Sequence, residues 1–191
     1  VRSTPRAGIL INTMARPSFK QYAILLKRKD IMNIKEAKKI IVSLSKPDKM
    51  PGFAYGIPAA ECKTGAKLRL IPNSVCAGCY ALKGNYARFP AIVQAQYKRL
   101  ESIKDPRWVE AMAVVINSEA VSKHKVFRWH DAGDVQDEEH LNKIFEVCRL
   151  TPEIQHWMPT REAWIKNHLE DCPKNLIIRL SMTMIDQAAA G

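Results

Sequence analysis

Long apolar runs are missing from this chain. The longest stretch without a charged side chain, Leu70 to Leu82, contains Pro72, Asn73 and Gly78. A spanning helix needs roughly 18 or more apolar residues, so a membrane protein is not expected. Internal repeats and low-complexity tracts are also missing. Cysteine is scarce and odd in number: Cys62, Cys76, Cys79, Cys148 and Cys172. Three of the five are clustered, which does not make a disulfide framework. Residues 1–15 have no continuous apolar core followed by a cleavage site, so no signal peptide is read. Together these features point to a reducing, cytoplasmic compartment. The chain begins with Val and ends in Ala-Ala-Ala-Gly, as a piece of a longer protein would.

Acidic residues are sparse in the front of the chain. Residues 1–107 hold 21 basic and 6 acidic side chains, whereas residues 108–191 hold 9 and 13. The whole of 191 residues carries +11. A basic front suggests a polyanionic partner, with nucleic acid the default and a solvated basic face the plain alternative. Apolar residues make up 47%, enough for one substantial core and too many for disorder.

Residues 1–48 read as a basic N-terminal extension with one helix, capped by Asn33 and running to about Leu44. Phe53 to Ile57 suits a strand. Residues 61–90 look irregular, with three cysteines, three glycines and two prolines. A run of that length without its own core would be ordered by a metal or cluster. Helices are expected from about Ala91 to Ile103 and from Asp105-Pro106 to about Val121. From residue 125 the pattern becomes regular. Strands at Lys125–Trp129, Ile154–Met158 and Leu176–Leu180 alternate with helices at about Asp137–Leu150 and Glu162–Glu170. This βαβαβ order predicts an α/β fold with parallel strands.

The strongest chemical signal is Cys62 with Cys76-Ala77-Gly78-Cys79. A tight turn brings CxxC sulfurs to one side, and Gly78 permits it. Three thiolates without a nearby histidine suit an iron–sulfur cluster with one open iron. They equally suit zinc completed by a fourth ligand, for which Cys148 and Cys172 are candidates. Cys148 fits core packing better, and Cys172 fits a structural or free thiol. Three unrelated reduced thiols are the plain alternative.

Active sites of parallel sheets lie at the carboxyl ends of the strands. Here those ends carry His130-Asp131-Ala132-Gly133-Asp134, Thr160-Arg161 and Ser181-Met182-Thr183. His130, Asp131, Asp134 and Arg161 are the catalytic candidates, since such a set binds anions or amines and moves protons. Singly, the aspartates would only cap a turn and Arg161 would only pair with Glu162. His156 reads as a core group, and His124, His140 and His168 read as solvated. Arg128 and Arg179, inside strands, need partners, for which Asp131, Asp134 or Glu162 would serve. Lys63, Lys67, Arg69, Lys83 and Arg88 interleave with Tyr80, Tyr86 and Phe89, a composition suited to single-stranded nucleic acid or to an ordinary basic loop.

The strings 49–52, 61–65, 76–86, 128–134 and 157–162 resemble the phage gene product eighty-eight domain family, over roughly Lys49 to Thr183. Members occur in phages, prophages and bacteria. The family is in turn similar to radical S-adenosylmethionine enzymes, in which three cysteines near the first strand of a partial (β/α) barrel hold a four-iron cluster. The resemblance implies such a barrel over residues 49–191, with Cys62, Cys76 and Cys79 on the cluster. It also implies S-adenosylmethionine on the open iron, faced by Tyr80, Gly133, Thr160, Ser181 and Thr183. Asp131 or Asp134 would hold the cofactor's amino group. One departure is plain: 13 residues separate Cys62 from Cys76, and Pro72 stands where the first cysteine of that pattern falls. The resemblance further implies that family chains continue past residue 191 with more cysteines. Three functions are therefore expected in competition. They are a radical modifying enzyme, a zinc-stabilised nucleic-acid-binding module, and a metal-dependent hydrolase built on His130, Asp131 and Asp134.

Overall fold

The structure, a computed structural model, describes residues 32–186. Residues 1–31 of the expected N-terminal extension lie outside the described residues. The first helix, α1 (Ile34–Ile40), starts where Asn33 accepts a hydrogen bond from the Glu36 N–H at 2.9 Å. It stops short of Leu44 because Val42 takes φ 71°, which no helix continues through.

Strand β1 (Phe53–Tyr55) is followed by a 3-10 turn (Ala59–Glu61), α2 (Lys63–Leu68), a second 3-10 turn (Tyr80–Leu82) and α3 (Gly84–Arg88). The cysteine-bearing segment is thus a string of short helical turns, where an irregular loop was expected. Pro90 opens α4 (Pro90–Ser102), as its fixed φ favours. The next expected helix is two: α5 (Trp108–Ile116) and α6 (Glu119–Ser122). Ser118 breaks them with extended backbone, ψ 145°. Then follow β2 (Val126–Trp129), α7 (Glu138–Leu150), β3 (Gln155–Thr160), a 3-10 helix (Ala163–Asp171) and β4 (Leu176–Leu180). Asp137 caps α7 by accepting the His140 N–H at 2.8 Å.

The four strands are all parallel and lie in sequence order, β1-β2-β3-β4. Because side chains alternate across a strand, each strand divides its residues between two faces. One face carries Tyr55, Phe127, Trp129, His156, Met158 and Leu176, all buried. It packs with Trp108, Met112 and Ile116 of α5 and Leu141, Ile144 and Phe145 of α7. Ala37 and Ile41, on and just after α1, join this same core. Burying each such large side chain contributes roughly 1.5–3 kcal/mol. Cys148 is fully buried here, as packing predicts.

Some polar groups of this core are partnered, while Trp129 Nε1, His140 Nε2 and His156 Nδ1 are buried without a hydrogen bond. The Tyr55 hydroxyl sits 2.9 Å from Ser102 Oγ and accepts the Trp108 indole N–H at 3.2 Å. His156 Nε2 lies 2.8 Å from Thr151 Oγ1. His140 was expected in solvent but is buried at 1% exposure, edge-on to Trp108. Its position four residues before Ile144 places it on the apolar stripe of α7. Among the described residues no helix is long and apolar enough to cross a membrane.

The opposite face of the sheet is built differently. Ala54, Arg128, Trp157 and Ile177 form one row across the four strands, with Pro159 and Arg179 in the next. Arg179 is exposed, and Ile177 is 56% exposed.

Candidate functional site

Two loops bring the site together. The first follows β2. Its start is held because the His130 N–H donates to the Tyr55 carbonyl at 3.0 Å, and the Ile57 N–H to that of Ala132 at 2.9 Å. The chain turns through two left-handed residues, His130 at φ 57° and Gly133 at φ 83°. A side chain at Gly133 would run into Ile57, so glycine is required twice over. His130 pays for its position in steric strain, since non-glycine residues seldom adopt it.

The second loop follows β3. Asp134 Oδ1 accepts from Thr160 Oγ1 at 2.6 Å and from the Val135 N–H at 2.8 Å, while Oδ2 accepts the Arg161 N–H at 2.9 Å. Asp134 therefore staples the two loops together. Burial raises its carboxyl to about 6 despite these donors.

The cysteine segment docks on this rim. Glu162 accepts the Thr64 N–H at 2.9 Å, the Thr64 hydroxyl at 2.8 Å and the Trp164 indole N–H at 3.1 Å. It fixes the start of α2, directly after Cys62. From the other side, the Val75 N–H donates to Thr183 and the Ile185 N–H to Asn73, each at 3.0 Å. Tyr80 donates to the Asp131 carbonyl at 2.6 Å, and Tyr86 to Asp131 Oδ2 at 3.2 Å.

The result is one cavity of about 180 Å³ at the carboxyl ends of the strands. Of the expected site residues, Cys62, Cys76, Cys79, Tyr80, His130, Gly133, Asp134, Arg161 and Ser181 line it. Three others stand behind it. Asp131 is tucked against Gly56, Thr160 is buried beneath Asp134, and Thr183 lends its carbonyl to Val75. The site also holds residues outside the expected set: Arg69, Arg128, Pro159 and Gly65. Gly65 is telling. A Cβ there would press on Cys62 Cβ at 2.9 Å and touch Cys62 Sγ and Cys76 Sγ at 3.7 Å, so glycine leaves the space beside these sulfurs open.

The electrostatics follow from burial. Desolvation pushes Cys62 up to about 12, with Asp134 adding to the effect, and it raises Cys76 as well. Without a cation among them these thiols keep their protons. His130 is 3% exposed and held well below its ordinary value, hence neutral, and neither ring nitrogen has a hydrogen-bond partner. Among the described residues no three His, Cys, Asp or Glu side chains converge as a ready site for a single metal ion.

Arg128 does not find the carboxylate expected for it. Its guanidinium stacks over the Trp157 ring at 4.8 Å and reaches Met50 Sδ at 3.5 Å. Nor does Arg161 pair with Glu162, whose oxygens serve Thr64 and Trp164. On the outer surface Lys63, Lys67, Lys83 and Arg88 are exposed, with Tyr80 at 60% and Phe89 at 47%.

A family model described as Gene product 88 matches residues 24–190 of this chain. The chain belongs to the phage Gene product 88 family. The family expected from the strings around Cys62, Cys76 and His130 is the family found. No curated protein and no solved structure matches the chain. Within this Gene product 88 chain, the cavity gathers the cysteine strings and the strand-end strings that carried the resemblance.

Proposed function

We propose that this Gene product 88 chain binds an iron–sulfur cluster through Cys62, Cys76 and Cys79 at the mouth of a partial parallel barrel, and acts as a radical S-adenosylmethionine-like modifying enzyme. One observation carries the reading: the three thiols and the polar strand ends line a single cavity. The sequential, all-parallel strand order supports the barrel, since a doubly wound sheet reverses its order at a switch point. Gly65 supports the cluster, because it keeps a space free beside two of the sulfurs. Soft thiolates are the donors such a cluster takes. A cluster seats each thiolate on its own iron, so it asks for less convergence than one ion does.

When bound, such a cluster supplies a single electron to a ligand at its open iron. The chain supplies the rest. Arg161 and Ser181 would bind the polar end of a ligand. Neutral His130 offers one donor and one acceptor from a dry wall. Asp134, near half protonation at about pH 6, would hold or release a proton at Oδ2. Tyr80 closes one side of the mouth.

Anaerobic purification with iron, sulfide and zinc analysis tests this. Bound iron and sulfide with a brown chromophore are expected. Stoichiometric zinc in colourless protein would contradict the cluster and favour a zinc-ordered binding module instead.

A further inference from the structure

The cavity wall contains three arginines, Arg69, Arg128 and Arg161, from three separate parts of the fold: α2's C-terminal end, the open face of β2 and the loop after β3. Among the described residues no carboxylate lies within ion-pair distance of any of them. The Nε atom of each is buried and without a hydrogen-bond partner. Arg69 spends one N–H on the Ala59 carbonyl, and Arg128 spends one on Met50 sulfur. Among the described residues the Arg161 side chain meets no hydrogen-bond partner. All three residues are half-buried, and a fold that lines one hollow with three guanidinium groups, none met by a carboxylate, leaves a negatively charged partner to come from outside.

The charge balance defines that partner. Asp134 is the one carboxylate among the lining residues, and its oxygens already accept from Thr160, Val135 and the Arg161 N–H. With the thiols protonated, three guanidinium groups thus face one carboxylate, an excess of about two positive charges. Planar forks of N–H donors match phosphate oxygens in pairs, and three forks suit a group with three terminal oxygens. Ser181, also on the wall, adds a hydroxyl donor.

We infer that the cavity binds a phosphate monoester through Arg69, Arg128 and Arg161. The group comes either from a free nucleotide or from the phosphorylated end of a nucleic-acid strand. The inference uses the same cavity as the proposed cluster but does not rest on it, because the arginines are held by the strands and by α2 rather than by the thiols.

Calorimetric titration of the whole chain tests it, with metal content measured separately on the same sample. The probes are inorganic phosphate, acetate, adenosine monophosphate, and one short oligonucleotide with and without a 5′-phosphate. Saturable binding of the phosphate-bearing probes is expected, and none of acetate. Arg161→Gln, whose guanidinium meets no other partner among the described residues, should weaken it about tenfold or more. Arg128→Gln should do the same, and Arg107→Gln, in an exposed cluster with Glu36 and Asp105, should not. A preference for the 5′-phosphorylated strand assigns the site to strand ends, and equal binding of adenosine monophosphate assigns it to free nucleotides. Absent binding, unchanged binding in Arg161→Gln, or acetate binding as well as phosphate would each overturn the inference. Iron-free protein that still binds phosphate would sink the cluster and leave this site standing.

Discussion

The two faces of one four-stranded sheet follow opposite rules. Toward the helices, Phe127, Trp129 and His156 are buried in a packed aromatic layer. Its polar atoms at Tyr55 and Thr151 find partners inside the fold. One residue along β2 from Phe127, Arg128 points to the other face, meets no carboxylate, and lines a hollow beside three thiols. The first face spends its side chains on stability. The second leaves donors and thiols unspent, which is how a binding site differs from a core.

The difference is open to attack from either side. The largest effect on folding is expected at Trp129→Ala, which empties a fully buried aromatic site. It should cost about 3–5 kcal/mol in urea unfolding. Arg161→Gln, on the other face, should leave the unfolding midpoint within about 0.5 kcal/mol of the parent.

Acid should divide the faces next. On the core side, burial holds His140 at about 3 and His156 at about 4. Their unfolded forms take up protons near pH 6.5 while the folded forms do not. Stability is therefore lost as pH falls below 6.5, by about 2.5 kcal/mol per histidine near pH 4.5. His140→Gln should flatten that loss. On the cavity side the sign reverses. Asp134 is raised to about 6 from 3.8 when folded, so the folded state binds its proton more tightly. Its contribution is fully present below pH 3.8 and is lost as pH rises through 6. Asp134→Asn should remove a drop of about 1–3 kcal/mol over that window. Unfolding midpoints from pH 4 to 7 in the two variants read both slopes.

The smallest of the expected losses concerns the tie between the cysteine segment and the rim. Glu162→Gln keeps the shape but loses the charge that accepts two hydrogen bonds from Thr64. A loss of about 1–2 kcal/mol is expected. Faster amide exchange at Thr64 and its helix, with the β2 and β3 amides unchanged, would locate it.

Much of this was legible in the chain. The strands at 126–129, 155–160 and 176–180 announce themselves by β-rich runs between capped helices, and Asn33 and Asp137 cap where their side chains predict. The cysteine and strand-end strings are found in one cavity because parallel strands send their carboxyl ends to one rim. The rest depended on distances that sequence does not hold. Arg69 and Arg128 read as ordinary surface and strand arginines until no carboxylate is seen to meet them. Gly65 matters only once two sulfurs flank it. Asp131 and Thr160 sit in the right strings but face Gly56 and Asp134 instead of the hollow. His140 was hidden by its acidic neighbours Glu138 and Glu139, although its spacing to Ile144 marks it as core.

The central claim is that three particular thiols, and not the other two, serve the cavity. Iron and sulfide content should be measured in five single Cys→Ser variants purified anaerobically beside the parent. The account predicts loss of both in Cys62→Ser, Cys76→Ser and Cys79→Ser, with parental content in Cys148→Ser and Cys172→Ser. Equal content in all five, or loss confined to Cys148→Ser or Cys172→Ser, would contradict it.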